Sequence, residues 1–128
     1  MHNFARILAP LLVVVIVACS PSGPTTRPEG SAEREAIFAA IHQGREIQDQ
    51  VFVPSRFKVQ DDWAWVTADP QSNDGANRYE PESWLLQKTA GGWRVMAQPC
   101  QEADCVWADE VAKIRARFPK APMAIFPA

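Results

Sequence analysis

The longest apolar run of this chain lies near its N-terminus, and it decides how much of the sequence is left to fold. Arg6 precedes eleven apolar or proline residues from Ile7 to Val17, which are followed by Ala18 and Cys19. A transmembrane helix needs about 20 apolar residues, whereas this shorter run has the length and charge of a secretory signal. We therefore predict that residues 1–18 are a signal peptide and are absent from the mature protein.

The end of that run points to a lipid anchor. Ile16-Val17-Ala18-Cys19 resembles the lipobox of bacterial lipoproteins, in which the cysteine is lipidated and the chain is cut just before it. The alternative, a soluble periplasmic product, suits the sequence less well, because ordinary signal peptidase sites prefer a small residue where Ile16 stands. The resemblance implies that acylated Cys19 attaches the protein to the lipid membrane. Ser20 after the cysteine implies the outer membrane, facing the periplasm.

The rest of the chain divides near Ser31. Residues 20–31 hold three prolines, two glycines and no large apolar side chain, a composition that buries too little surface to order itself. We predict a lipidated cysteine with a flexible tether over residues 19–31 and a single domain over residues 32–128. The chain has 13 Lys+Arg against 15 Asp+Glu, a net charge of −2, which argues against a nucleic-acid partner.

Periodicity in residues 32–128 predicts an α+β fold. Ser31 is a candidate N-cap for a helix over residues 32–46, and a C-terminal helix that stops at Pro119 leads into an extended tail. Between them we expect a four-stranded, mostly antiparallel sheet. The strands are predicted at residues 51–59, 63–68, 83–88 and 93–97.

Strand alternation assigns side chains to the two faces of this sheet. In the first strand it places Val51, Val53, Phe57 and Val59 together, with Pro54 at an edge or a bulge. In the second strand, Trp63 and Trp65 share one face, and small residues occupy the other. The two indole rings are either covered by the C-terminal helix and tail or open as a groove. In the open arrangement, Trp63, Trp65 and Trp84 would form a binding surface.

Two short motifs carry a fold resemblance. Trp63-Ala64-Trp65-Val66 and Gly91-Gly92-Trp93-Arg94-Val95 resemble strand motifs of small secreted bacterial proteins of unknown function. The order of elements is similar to that of the cystatin-like and nuclear-transport-factor-like folds, in which a sheet curls around an N-terminal helix. The resemblance covers residues 33–98 and implies a fold, but no catalytic residues.

Cys100 and Cys105 form the clearest local motif. In an oxidising envelope we expect them to form a disulfide between the last strand and the C-terminal helix. A redox site would need a C-x-x-C spacing and a metal site would need further ligands, and the sequence has neither around these cysteines. We therefore expect no metal and no cofactor. His42 and the turn carboxylates Asp61 and Asp62 form no recognisable catalytic motif.

These observations favour a non-catalytic, membrane-anchored envelope lipoprotein that acts as a binding or accessory module. Its expected partners, besides the membrane, are an envelope protein or the cell wall. Two alternatives remain open. The first is a periplasmic inhibitor or immunity lipoprotein, which the acidic loop from Asp69 to Asp74 would suit if the target were basic. The second is a small enzyme that uses the sheet cavity, with His42 near Asp61 or Asp62.

Overall fold

The computed structural model describes residues 23–128, and the predicted signal peptide and Cys19 lie outside them. The fold is α+β, with a four-stranded antiparallel sheet and two helices in this part of the chain. The sheet order is β1-β2-β3-β4, so each strand pairs with its neighbour in sequence. The elements are α1 Ala32–Gln43, β1 Gln50–Gln60, β2 Trp63–Ser72, β3 Glu82–Thr89, β4 Gly92–Ala97, α2 Trp107–Arg117 and a 3-10 helix at Met123–Ile125.

Local signals explain most element ends. The Ser31 hydroxyl accepts a hydrogen bond from the Arg34 amide and caps the start of α1. The helix ends at Gln43, earlier than predicted, because Gly44 is its C-cap. Asp61 and Asp62, with φ of 49° and 64°, form a two-residue turn between β1 and β2. Two consecutive left-handed residues are typical of the type I′ hairpin turn.

Both faces of the sheet are covered, which makes the fold a three-layer structure. On one face, α1 buries two isoleucines against the small residues of β2 and the aromatic residues of β1, β3 and β4. That core consists of Ile37, Ile41, Phe52, Phe57, Val59, Ala64, Val66, Ala68, Trp84, Leu86 and Trp93. On the other face, α2 and the C-terminal tail cover three side chains of the sheet. That core consists of Trp63, Trp65, Leu85, Val111, Ile114, Ala121, Ile125 and Phe126.

A β-bulge in β1 changes the predicted assignment of its faces. The register with β2 shifts between Pro54 and Arg56, so Ser55 is an extra residue in the strand. Phe52 therefore joins Phe57 on the α1 face, and Val51 and Val53 are exposed. The prediction that Val51 and Val53 share a face with Phe57 was wrong, because strict alternation fails across a bulge. Pro54, predicted at an edge or a bulge, lies in the edge strand β1 directly before the bulge.

The N-terminal segment, residues 25–31, belongs to the predicted flexible tether and contacts the domain. Thr25 and Val59 exchange two backbone hydrogen bonds of 2.9 and 2.8 Å. The Thr26 hydroxyl donates to the Phe57 carbonyl at 3.0 Å, and Arg27 forms an ion pair with Glu33. Composition indicated that these residues bury little apolar surface. It did not reveal that the edge of β1 offers them backbone partners.

Arg45, in the loop between α1 and β1, joins three parts of the molecule. Its guanidinium binds both carboxylate oxygens of Glu82 at 2.6 and 2.8 Å. It also donates to Gln50 Oε1, and it lies 5.2 Å from the ring centroid of Phe52. This bidentate geometry ties the end of α1 to the start of β3.

Candidate functional site

The three tryptophans predicted as a binding surface lie in the interior. Trp63, Trp65 and Trp84 are 6%, 0% and 2% exposed. Trp65 contacts Phe126 of the tail, with ring centroids 5.3 Å apart, and Trp84 lies on the opposite face of the sheet. The apolar sides of α2 and the tail need a partner, and this indole-rich face supplies it. The covered arrangement is therefore the one adopted, and these three rings form no open groove.

The predicted pair Cys100–Cys105 forms a disulfide, with its Cα atoms 5.9 Å apart. The Cys105 amide donates to the Glu102 carbonyl at 3.0 Å, which closes a tight loop. The Cys100 amide donates to Glu110 Oε2 at 3.2 Å, so the first turn of α2 holds the loop as well. The hydrogen bond from Lys113, followed by that from the Cys100 amide, lowers the pKa of Glu110.

A half-open cavity of about 560 Å³ lies beside this disulfide, and we call it the disulfide pocket. Its floor comes from β2 and β3, one wall from the segment before β3, and the other from the disulfide loop and the start of α2. The lining residues are Thr67, Glu80, Pro81, Ser83, Cys100, Gln101, Glu102, Cys105 and Trp107. The volume falls within the range typical of small-ligand sites.

Trp107 supplies an accessible aromatic surface at this pocket. The residue is 41% exposed, and its ring centroid lies 6.3 Å from that of buried Trp65 in an edge-to-face arrangement. Because one edge is fixed against the core, the ring can be contacted at low cost in side-chain entropy. Fixed indole rings of this kind are frequent anchors in protein recognition.

Two hydroxyl groups form a polar floor. Trp65 Nε1–H donates to Thr67 Oγ1 at 3.2 Å, and Thr67 Oγ1 lies 2.8 Å from Ser83 Oγ. Ser83 is only 2% exposed. Each hydroxyl carries one hydrogen, and one of the two suffices for the bond between them. Within the described residues, the other hydroxyl hydrogen is left for a ligand or solvent.

The rim of the disulfide pocket is acidic. Among the described residues that line it, Glu80 and Glu102 are exposed carboxylates and none is basic. A ligand with a positive charge therefore matches this rim better than an anion. No strong sequence signal marks the site, because a glutamate near a helix N-terminus, such as Glu102, and an aromatic residue at helical spacing, such as Trp107, are each accounted for by the helix alone.

The residues proposed for the enzyme alternative do not meet. His42 lies against Phe52, with ring centroids 4.7 Å apart, near the start of β1. Asp61 and Asp62 form the turn at the other end of that strand, roughly 25–30 Å away at about 3.3 Å per residue. Burial, and then the charge of Arg45, lower the pKa of His42. Within residues 23–128, no group of three or more His, Cys, Asp or Glu side chains is arranged to hold a metal.

The acidic loop after β2 has a local structural role. Asp74 Oδ1 accepts hydrogen bonds from the Ser72 hydroxyl at 2.6 Å and the Ala76 amide at 3.0 Å. These bonds, the Ser72 bond first, lower the pKa of Asp74. Asp69 lies in β2 opposite Val53. The carboxylates of this region are thus spread along a strand and a turn.

In comparisons with known proteins, no family model, curated protein or solved structure matches this chain. None of the helices in residues 23–128 has the length and apolar character needed to cross a bilayer.

Proposed function

We propose that this chain is a lipid-anchored lipoprotein of the bacterial envelope that acts as a non-catalytic binding module through the disulfide pocket. The observation that carries the proposal is the half-exposed ring of Trp107 beside the part-buried hydroxyl pair of Thr67 and Ser83. An aromatic surface and a spare hydrogen-bond donor, held on rigid elements, suit recognition. The disulfide keeps one wall of the pocket in place.

The anchor is supported by the lipobox resemblance at Cys19, and Ser20 favours the outer membrane. Attachment would place the pocket in the periplasm, where an envelope protein or the cell wall is the natural partner. A periplasmic address also agrees with the Cys100–Cys105 disulfide, because structural disulfides persist in oxidising compartments.

A second candidate, an inhibitor or immunity lipoprotein, is favoured by the acidic rim. Glu80 and Glu102 would contact the basic surface of a target enzyme, and charge attraction would speed their association. This candidate predicts that the partner is an enzyme with a basic surface and that its activity falls when the lipoprotein is bound.

In vivo photo-crosslinking of the full lipoprotein tests the site. A photoreactive residue at Gln101 lies in the pocket wall, and the matched probe at Met123 lies on a surface that is 63% exposed elsewhere. We expect a discrete crosslinked product from position 101 only. Trp107→Ala should reduce its yield by about tenfold, because loss of an anchor ring costs more than about 1 kcal/mol.

Met123→Ala serves as the control substitution and should leave the crosslink unchanged. Equal products from both probe positions, or none from position 101, would exclude the pocket as the recognition site. A product that survives Trp107→Ala and Glu102→Gln together would show that the partner contacts the loop without using the pocket.

A further inference from the structure

The outer edge of β1 is partly open. β1 pairs with β2 on one side, and on its other side the described part of the N-terminal segment bridges to Val59 and bonds to Phe57 and Lys58. Within the described residues, the stretch Gln50–Pro54 has no strand on that side. Five residues of strand offer an edge of about 16 Å.

The backbone of Phe52 faces this open side. Phe52 pairs with Pro70 of β2, which has no N–H, and the Pro70 carbonyl accepts a hydrogen bond from the Tyr79 amide at 2.9 Å. The polar groups of Pro70 are therefore directed away from β1. In an antiparallel ladder this is a non-hydrogen-bonded pair, so the N–H and C=O of Phe52 point outward from the sheet.

A groove runs along the same edge. It has a volume of about 570 Å³, with residues 51–58 on one side and Thr26, Glu29 and Arg34 on the other. Val51 and Val53 are 41% and 45% exposed, so the groove offers apolar contacts beside the open backbone. A single extended peptide fits between these two walls. The edge strand of another sheet would bring that whole sheet against the wall formed by Thr26, Glu29 and Arg34, so a single peptide suits the groove better.

The groove carries an excess of positive charge, because three basic side chains line it and only one carboxylate does among the described residues. Arg56 donates to the carbonyls of Ile125 and Phe126, and Lys58 donates to the Thr26 hydroxyl. Arg34 donates to the Arg27 carbonyl and lies over two phenylalanine rings. All these contacts are to neutral groups. Glu29 is the single acidic residue among those that line the groove.

We propose that the edge of β1 from Gln50 to Pro54 binds an extended acidic segment of a partner protein as an added strand. Main-chain hydrogen bonds to Phe52 would set the register of the added strand, and Val51 and Val53 would provide apolar contacts. The basic side chains of Arg34, Arg56 and Lys58 would select for an acidic segment. The bond pair between Thr25 and Val59 shows that this edge accepts a strand from a peptide backbone. Pro54 and the bulge at Ser55 confine the added strand to the upstream half of β1.

Amide hydrogen exchange of the mature lipoprotein in detergent micelles tests the proposal. The probe is the capped pentapeptide acetyl-Val-Glu-Val-Asp-Val-amide. At a concentration about ten times its Kd, we expect exchange of the Phe52 amide to slow by about tenfold, because exchange requires the unbound state. A peptide of the same sequence with N-methyl groups on alternate amides should not protect Phe52.

Charge is tested separately. A peptide with lysine in place of its acidic residues should bind at least about fivefold more weakly, as should the acidic peptide to Lys58→Glu. Lys120→Glu, at an exposed position of the tail, is the matched control and should bind as the unmodified protein does. The proposal is overturned by equal binding of the N-methylated peptide, by absence of Phe52 protection, or by protection confined to β4 or the disulfide pocket.

Discussion

At the scale of single residues, Arg45 contacts several parts of the molecule outside the two cores. It donates two hydrogen bonds to Glu82 and two to Gln50 Oε1, and it lies over the rings of Phe52 and Trp84. The side chains of Arg45 and Glu82 are 19% and 20% exposed. Water reaches this pair only in part. Removal of one partner therefore leaves the other as a poorly solvated charge.

Arg45→Ala should lower the free energy of unfolding by about 2–3 kcal/mol, since it removes an ion pair, two bonds to Gln50 and stacking on Phe52. A double-mutant cycle with Glu82→Gln, measured by chemical denaturation, should give a coupling of about 1–2 kcal/mol. Lys120→Ala is the exposed control. Additive effects of the two substitutions would show that the pair contributes only through packing.

His42 makes stability depend on pH. Its Nδ1 is buried with no hydrogen-bond partner among the described residues, and burial, followed by the charge of Arg45, lowers its pKa below 6.5. The unfolded chain then binds a proton more readily than the folded one. The contribution of His42 is fully present above pH 6.5 and is lost as pH falls toward its folded-state pKa.

We expect the free energy of unfolding to fall between pH 7 and pH 5, and to fall less in His42→Gln. Urea denaturation at matched ionic strength measures the difference between the two proteins. The lowered pKa values of Asp74 and Glu110 add an acid-dependent loss that both proteins share. Identical pH profiles would show that His42 titrates alike in the folded and unfolded chains.

At the scale of elements, the bulge in β1 places Phe52 in the same core as Phe57. Ser55 is the extra residue, and the pairs on either side, Pro54 with Ala68 and Arg56 with Thr67, are in register without it. Phe52 and Phe57 face α1 because one residue between them is not counted in the ladder.

Deletion of Ser55 should therefore preserve the fold at a cost of about 1–2 kcal/mol, since a regular strand keeps Phe52 and Phe57 on the same face. Deletion of Lys58 is the matched control, because it removes a paired residue and reverses the faces upstream. Thermal unfolding followed by near-ultraviolet circular dichroism measures both. Loss of the cooperative transition in the Ser55 deletion would show that the bulge itself is required.

The elements that could be predicted from the sequence are those specified by local signals. Both helices, the four strands and the Cys100–Cys105 pair follow from periodicity, turn residues and cysteine chemistry. Pro54 indicated an edge or a bulge, but neither the choice of Ser55 as the extra residue nor the bridge from Thr25 to Val59 could be predicted, because each depends on a backbone partner distant in sequence. The disulfide pocket was missed for a similar reason. The exposure of Trp107 depends on how much of the ring Trp65 and the tail leave free.

At the scale of the whole molecule, the two covered faces leave edges and ends as the surfaces open to partners. The disulfide pocket lies at one end of the sheet, and the β1 groove lies along one edge. The N-terminal segment joins the domain at Thr25, so the distance from Cys19 is short. Six residue steps span at most about 20 Å.

The lipid anchor itself is tested by processing. Inhibition of lipoprotein signal peptidase should cause a larger, uncut precursor to accumulate, and the mature protein should remain with membranes after a high-salt wash. Cys19→Ala should be released or left unprocessed, because no thiol is present to acylate. Unchanged processing under inhibition would exclude the lipobox assignment, and salt-resistant membrane binding of Cys19→Ala would indicate another means of attachment.

The attachment of residues 25–31 to the domain has a mechanical consequence. If Cys19 is held in a bilayer, a pull on the domain acts first on the two backbone bonds between Thr25 and Val59. Release of the whole segment also requires rupture of the Thr26–Phe57 bond and of the Arg27–Glu33 ion pair. It would free seven residues, which span about 25 Å when extended. Release of this segment would thus lengthen the tether. In a protein anchored at Cys19, the closed bridge would keep the domain beside the membrane, and the open one would let it reach further from it.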